Sequence, residues 1–308
     1  MNRREALCGA AALLVSARWT QAVWAARGEA LRAEKPHADE TFSFFFPTPQ
    51  ATVVRMLELA RVGPADLVLD LGSGDGRIPI SAARYFGARG WGVDSDAELI
   101  GQSIAEAKRQ GVAERVRFEQ RDVLKTDTSK ATVVTIYLLP GLIARLRRKL
   151  LAELKPGARI LVHDFTMTDW SPDETLTFYV PERNQGRGGE STVRLWVVPA
   201  NFSGDWDARI EGARSESLAL SIRQRFQRAG GLARRGAEAW DLTSVAVRGA
   251  QIAFGIEAGE TQYEVSARLE GDAMMGEVHI RRGTDAPATA RWSARRTSRR
   301  QPLDGTER

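Results

Sequence analysis

Three acidic residues lie within or beside a glycine-rich turn, and together they could bind a positively charged ligand. Asp70 ends an apolar run, Asp75 lies inside the G-S-G-D-G stretch at 72–76, and Asp94 ends the next apolar segment. Carboxylates at these places would repel a pyrophosphate but attract an ammonium or sulfonium group. The dinucleotide-binding pattern G-x-G-x-x-G also fails here, because Arg77 stands at its third glycine position.

The elements around this turn are a strand and a helix. The apolar run from Leu67 to Leu71 is typical of a buried parallel strand, and residues 77–83 predict the start of a helix. Glycines permit positive φ and close approach of a ligand, and this geometry aims backbone N–H groups at that ligand. The ten residues from Val68 to Arg77 resemble motif I of class I S-adenosylmethionine (SAM) methyltransferases. The resemblance implies SAM as the cofactor.

The same resemblance assigns a set of residues to SAM. They are Thr48, Asp70, Gly72, Ser73, Gly74, Asp75, Gly76, Asp94 and Asp122. Asp94, at the tip of the predicted second strand, would accept both ribose hydroxyls, and Asp122 would lie near the adenine amino group. Thr48 has a second interpretation, as the N-cap of a helix whose first residue is Pro49.

A second candidate site is the apolar lip Y-L-L-P at 137–140, after the predicted fourth strand. Methyl transfer requires no nucleophile or metal from the protein, which must hold the acceptor and exclude water. An apolar lip favours the neutral form of an amine acceptor. Tyr137 could align that amine, or it could pack on the core. His163 and Asp164, at the end of the fifth strand, could accept a proton or orient a substrate, or they could make a structural hydrogen bond.

Three motifs together resemble one protein family: F-P-T-P-Q at 46–50, D-L-G-S-G-D-G-R at 70–77 and T-I-Y-L-L-P at 135–140. That family contains the mitochondrial protein-lysine methyltransferase that acts on the ATP synthase c-subunit. The resemblance implies a protein lysine as the methyl acceptor. The lip lacks the Asn/Asp-Pro-Pro-Tyr-like motif of enzymes that methylate nucleic-acid bases, so no nucleic-acid partner is expected. A small-molecule O- or N-methyltransferase and an exported, non-catalytic binding protein on a methyltransferase scaffold remain alternatives.

The sequence divides into five segments. They are a signal peptide at 1–26, a linker at 27–43, a SAM-dependent methyltransferase domain at 44–199, an antiparallel β domain at 200–297 and a basic tail at 298–308. The β domain is predicted from short alternating strands and glycine turns, one of them at Gly230 and Gly231, and it loosely resembles lipocalin-like appendages. The expected fold is therefore α/β: a Rossmann-like, doubly wound seven-strand sheet, followed by a small antiparallel β-barrel or meander.

The N-terminal segment predicts export. Arg3 and Arg4 precede a short apolar segment from Ala6 to Val15, as in a twin-arginine signal, and small residues near Ala25 or Ala26 offer a cleavage site. We expect a periplasmic protein, or a cytoplasmic one if the leader is not used. The only cysteine, Cys8, lies in this leader, which argues against disulfides and cysteine metal sites in the mature chain.

The remaining composition indicates a soluble protein without a metal. The three histidines, His37, His163 and His279, show no metal-ligand spacing, and no metal site is predicted. The net charge of +5 is concentrated in arginine-rich ends rather than in a nucleic-acid-binding module. No apolar stretch approaches the length required to span a membrane permanently.

Overall fold

The structure, a computed structural model, describes residues 46–211 and 215–300. The predicted signal peptide and linker lie outside the described residues, as do residues 301–308 of the predicted tail. Within the described ranges, no helix is both long enough and apolar enough to cross a membrane.

Seven strands form one mixed sheet. They are β1 (Leu67–Leu71), β2 (Arg89–Asp94), β3 (Val116–Gln120), β4 (Val133–Ile136), β5 (Arg159–His163), β6 (Glu174–Val180) and β7 (Gly189–Val197). The spatial order is β3-β2-β1-β4-β5-β7-β6. The first five are parallel, whereas β7 is antiparallel to both β5 and β6. The order reverses between β1 and β4, and a ligand crevice forms at the carboxyl ends of strands at such a switch point.

Helices cover both faces of this sheet. They are α1 (Gln50–Leu59), α2 (Arg77–Phe86), α3 (Ala97–Arg109) and α4 (Pro140–Glu153), with a 3-10 turn at Val123–Lys125. Val68 and Leu161 pack on one face with Met56 of α1, and Leu69 packs on the opposite face with Leu146 of α4. Successive strand residues point to opposite faces, so a continuous apolar run such as β1 serves both layers. The predicted doubly wound sheet is confirmed.

Eight further strands close into an antiparallel barrel. They are β8 (Gly204–Glu211), β9 (Glu216–Arg225), β10 (Arg228–Arg235), β11 (Glu238–Arg248), β12 (Gln251–Ala258), β13 (Thr261–Glu270), β14 (Ala273–Arg282) and β15 (Ala288–Arg299). Large side chains such as Trp206, Tyr263 and Trp292 fill the interior, as eight-strand barrels of this width allow. Of the two predicted forms, the closed barrel is correct. The last strand extends to Arg299, two residues past the predicted boundary at 297.

One predicted turn of the barrel is in the wrong place. Gly230 and Gly231 were expected to turn the chain, but both lie inside β10. A Cβ on Gly231 would lie 2.1 Å from the carbonyl oxygen of Ser221. Glycine is therefore required here because β10 approaches β9 too closely for a side chain. The turn is made by Phe226 and Gln227 instead, with Phe226 at φ 53°.

Candidate functional site

The glycine turn between β1 and α2 has the predicted left-handed backbone. Gly72, Gly74 and Gly76 have φ values of 82°, 52° and 76°. A Cβ on Gly72 would lie 2.7 Å from Leu138, and one on Gly76 would lie 2.7 Å from the Phe118 ring. Side chains at these positions would therefore be strained and would collide with the residues that surround the turn.

The N–H groups of the turn are used within the protein, contrary to the expectation that they face a ligand. Gly72 and Ser73 both donate to the carbonyl oxygen of Val93 at 2.9 Å. The N–H of Gly74 donates to Oδ2 of Asp94, also at 2.9 Å. The turn is thus fastened to the end of β2, and two of its glycines leave room for the side chains of Leu138 and Phe118.

Asp70 is the most buried carboxyl of the turn region. It is 3% exposed, and its Oδ1 accepts a hydrogen bond from Thr135 at 2.7 Å. Burial raises the pKa of Asp70 to about 8; the Thr135 hydrogen bond acts in the opposite direction, and the charges of Asp94 and Asp75 raise it further. Asp70 is therefore mostly protonated at pH 7, and a cationic ligand nearby would favour its ionisation.

Asp75 has a cationic partner within the chain. Nε of Arg77 lies 2.9 and 3.1 Å from its two carboxylate oxygens, and the same guanidinium donates to the carbonyl oxygen of Thr48 at 2.9 Å. Arg77 therefore competes with the positive group of SAM for Asp75, and that contact with SAM stays a prediction. Asp75 also borders a cavity of about 400 Å³ between α1, α2 and α3 that includes no other predicted cofactor residue.

Three further predicted residues have defined positions. Ser73 is buried, and its Oγ has no hydrogen-bond partner among the described residues. Asp122 caps the 3-10 turn by accepting from the N–H of Leu124 at 2.8 Å, so its position near the adenine stays a prediction. Thr48 does not cap α1, because Pro49 is the N-cap residue and no side chain caps the helix.

Thr48 instead belongs to a buried chain of hydrogen bonds. Its Oγ1 lies 3.2 Å from Nδ1 of His163, whose Nε2 lies 2.8 Å from Oγ of Ser191. Burial lowers the pKa of His163 to about 4; the Asp164 charge opposes this shift and the Arg183 charge adds to it. His163 is thus neutral at pH 7 and a weak base, which favours the structural hydrogen bond over the predicted role as a proton acceptor.

Tyr137 lies at the carboxyl end of β4, where the acceptor was predicted. Its ring centroid is 4.2 Å from that of His163 and 6.0 Å from that of Phe165. Leu139 beside it is 58% exposed. The ring therefore packs on the core on one side, while the lip that it belongs to is open to solvent. Both predicted roles of Tyr137 are compatible with this placement.

Asp164 and Arg183 form an ion pair beside Tyr137 that the sequence did not predict. Arg183 contacts Asp164 through both terminal nitrogens, at 3.1 Å for one of them, and the N–H of Thr192 donates to the same carboxylate. Burial acts to raise the pKa of Asp164, but hydrogen bonds from Arg183 and Thr192 lower it overall. Arg183 lies in the turn between β6 and β7, and no local pattern indicated that this turn folds back onto β5.

No group of three or more His, Cys, Asp or Glu side chains within residues 46–211 and 215–300 is arranged to hold a metal ion. The features that bear on SAM are the left-handed glycine turn, the protonated Asp70, the carboxylate of Asp94 and the Ser73 hydroxyl, which has no partner among the described residues. They fit a ligand that combines a cationic end with a nucleoside.

Known proteins resemble the sheet domain of this chain. The family profile described as the ANTKMT methyltransferase domain matches residues 70–174. A protein-lysine N-methyltransferase from Saccharolobus islandicus (strain REY15A) is 41% identical over 155 residues, which are 50% of this chain and 92% of that protein. This chain belongs to the family of SAM-dependent protein-lysine methyltransferases. The predicted enzyme class and cofactor are confirmed.

Two other similar proteins extend the comparison of this methyltransferase. The lysine N-methyltransferase of the ATP synthase c-subunit from Mus musculus is 32% identical over 177 residues, which are 55% of the chain and 69% of that protein. A crystal structure of an RNA methyltransferase from Salinibacter ruber with S-adenosyl-L-homocysteine is 45% identical, covers 51% of this chain and 96% of that one, and has a TM-score of 0.46. Each match covers about half of the methyltransferase, and the family profile ends before the barrel.

Proposed function

We propose that this chain transfers the methyl group of SAM to the ε-amine of a lysine in another protein, and that the amine enters at the Tyr137 lip. The observation that carries the proposal is the adjacency of the two candidate sites along β4. Thr135 holds Asp70 by a hydrogen bond of 2.7 Å, and Tyr137 follows two residues later on the same strand end. The end of one strand thus links the carboxyl that we assign to the cofactor to the ring that we assign to the acceptor.

Bound SAM would supply a methyl carbon on a positive sulfur. The amine lone pair forms the new N–C bond as the S–C bond breaks, which leaves S-adenosyl-L-homocysteine and a methylammonium that loses its proton to solvent. The attacking amine must be neutral, and deprotonating a free lysine at pH 7 costs about 4.6 kcal/mol. The apolar lip reduces this cost. Arg183 neutralises Asp164, so that no unpaired carboxylate of this pair stabilises the ammonium form.

The residues of the chain also account for selectivity between cofactor and acceptor. Asp70 and Asp94 lie on the cofactor side, where Asp94 also holds the turn. The acceptor side includes the uncharged side chains of Tyr137, Phe165 and the exposed Leu139, and the charges of the neighbouring Asp164 and Arg183 offset each other. A cationic ligand therefore finds carboxyl groups on one side, and a neutral amine finds an apolar surface on the other.

The test is incubation of the full chain with labelled SAM and a protein extract, followed by mass spectrometry for methyl-lysine. We expect Tyr137→Ala to lower the rate of lysine methylation strongly while the Kd for SAM stays unchanged, because Tyr137 serves the acceptor. Tyr85→Ala is the matched control, since Tyr85 is an exposed tyrosine on α2. Label that appears on nucleic acid or on a small molecule, and none on protein lysine, would overturn the proposal.

The N-terminal leader supports a place of action outside the cytoplasm. The twin-arginine route carries folded proteins, so the enzyme could leave with SAM bound, although that supports only one turnover. A reporter fused to residues 1–30 decides between the two compartments. Export of the reporter that depends on Arg3 and Arg4 is expected, and a reporter that stays inside the cell would favour a cytoplasmic enzyme.

A further inference from the structure

The turn between β9 and β10 of the barrel packs into the methyltransferase domain. The Phe226 ring stacks on Trp170, with centroids 5.4 Å apart and 13° between the ring planes. Phe226 is only 6% exposed although it occupies a turn. Oε1 of Gln227 accepts from the Trp170 indole at 2.7 Å, and its Nε2 donates to the carbonyl oxygen of Ser171 at 2.6 Å. The two residues thus bind the other domain by stacking and by two hydrogen bonds.

Trp170 and Ser171 belong to the segment that links β5 to β6, residues 164–173, which we call the post-β5 loop. The neighbouring Asp169 lies between two arginines from different elements. Arg147 of α4 and Arg225 of β9 both contact its carboxylate, the latter at 2.7 Å. The barrel therefore holds three consecutive residues of the loop, Asp169 to Ser171.

The backbone of the post-β5 loop is strained at two places. Asp164 has a φ of 60° and Thr168 a φ of 53°. A left-handed conformation is rare for a β-branched residue such as Thr168, and it persists only where the surroundings impose it. Here Arg147 donates to Oγ1 of Thr168 at 2.6 Å. Arg194 donates to the carbonyl oxygens of Asp164 and Phe165 at 2.9 and 3.1 Å.

The strained loop carries one wall of the acceptor lip. Phe165 lies immediately after Asp164, and its ring stacks on Tyr137 with 27° between the planes. The loop is fastened at its beginning by Arg194 and Arg183 and near its end by the barrel turn. If the barrel turn no longer held residues 169–171, the post-β5 loop could relax and Phe165 would no longer be fixed against Tyr137.

We propose that Phe226 and Gln227 are positioning residues for methyl transfer. They hold the post-β5 loop in its strained form, and through Phe165 they fix Tyr137 at the acceptor lip. The role of the barrel is then to shape the acceptor side of the enzyme, without contact with SAM. This inference rests on the proposed function, because it assigns the acceptor to the Tyr137 lip.

The kinetic test compares two buried phenylalanines of the barrel in the full chain. Phe226→Ala is expected to raise the KM for the protein acceptor about tenfold and to lower kcat, with the Kd for SAM unchanged within about twofold. Phe254→Ala removes a phenylalanine that is 3% exposed and packs on Trp292 inside the barrel. We expect Phe254→Ala to lower the Tm about as much as Phe226→Ala does, but to leave KM and kcat unchanged. Phe226→Trp, which keeps an aromatic ring for Trp170, should restore most of the activity.

A second measurement does not depend on activity. Hydrogen exchange should accelerate in residues 164–171 of Phe226→Ala and of Gln227→Ala, and stay unchanged in the glycine turn at 72–76. If the parent chain methylates no lysine but the exchange changes as expected, the proposed function fails and the coupling of the barrel to the loop stands. Unchanged exchange in the loop, or equal kinetic effects of Phe226→Ala and Phe254→Ala, would overturn the inference.

Discussion

Oδ2 of Asp94 accepts a hydrogen bond from the backbone N–H of Gly74 at 2.9 Å. The carboxylate that was predicted to bind the ribose of SAM therefore also fastens the glycine turn to the end of β2. The structure shows the contact with the turn, and the contact with the ribose stays a prediction. This double role has consequences for how its variants should behave.

We expect Asp94→Ala to weaken SAM binding about 100-fold, or about 2.7 kcal/mol, because the variant loses a ligand contact and frees the turn. Asp94→Asn retains an acceptor for the Gly74 N–H, and we expect a smaller loss of about tenfold. Titration calorimetry with SAM measures both. The control is Asp96→Ala, which removes the N-cap of α3 and should cost about 1 kcal/mol of stability without changing the Kd. Unchanged affinity in Asp94→Ala would refute the assignment.

Asp70 should make the stability of the SAM-free protein fall as the pH rises. Its pKa is raised in the folded state from 3.8 to about 8, so over this range the native state keeps a proton that the unfolded state has released. The contribution of Asp70 to the free energy of unfolding therefore decreases from about pH 4 to about pH 8. His163 acts in the opposite direction below about pH 6.5, so the net decrease is expected between about pH 6.5 and pH 8. Asp70→Asn should remove this slope and be more stable than the parent at the upper end. Urea unfolding across this range measures the effect, and a slope that persists in Asp70→Asn would contradict it.

The same carboxyl should couple SAM binding to proton release. A cation bound beside Asp70 favours its ionised form, so that binding near neutral pH expels a proton and becomes tighter as the pH rises towards about 8. Calorimetry in two buffers with different ionisation enthalpies counts the released protons. Asp70→Asn should release none from this position.

His163 should destabilise the protein in acid. Burial lowers its pKa from 6.5 to about 4, so below about pH 6.5 the unfolded state binds a proton that the native state does not. The contribution of His163 to stability should therefore fall as the pH decreases through this window, by on the order of 3 kcal/mol in total. The difference in stability between His163→Gln and the parent should change accordingly between about pH 6.5 and pH 4, and NMR titration of the imidazole provides a direct check. A histidine signal from position 163 that titrates near pH 6.5 would refute the neutral assignment.

Gly72→Ala should impair both folding and SAM binding. The position has a φ of 82°, and the new Cβ would lie 2.7 Å from Leu138, so we expect a loss of at least about 1 kcal/mol of stability and weaker SAM binding. Gly101→Ala is the matched control. Gly101 lies within α3 with no atom within 4 Å of a new Cβ, and alanine there should stabilise the protein by roughly 0.5–1 kcal/mol. Thermal unfolding and calorimetry distinguish the two variants.

The part of the site that could be predicted from sequence is local in the chain. Residues 67–77 form the strand, the turn and the helix that were expected, because an apolar run and closely spaced glycines restrict the backbone directly. The closed barrel was predicted as one of two forms from alternation and glycine turns. Its β9–β10 turn was predicted at the wrong residues, because a glycine pair can mark a place where two strands lie close together as well as a turn.

The sequence by itself determined the fold class, the cofactor turn and the place of the lip, because these depend on the order of apolar and special residues along the chain. Only the tertiary structure decided the partners of the polar groups. The N–H groups of Gly72 and Ser73 bind Val93, His163 lies between Thr48 and Ser191, and Phe226 stacks on Trp170. The physical reason is that a hydrogen bond or a stacked ring requires atoms within a few ångströms, and packing brings residues from distant parts of the sequence to that distance.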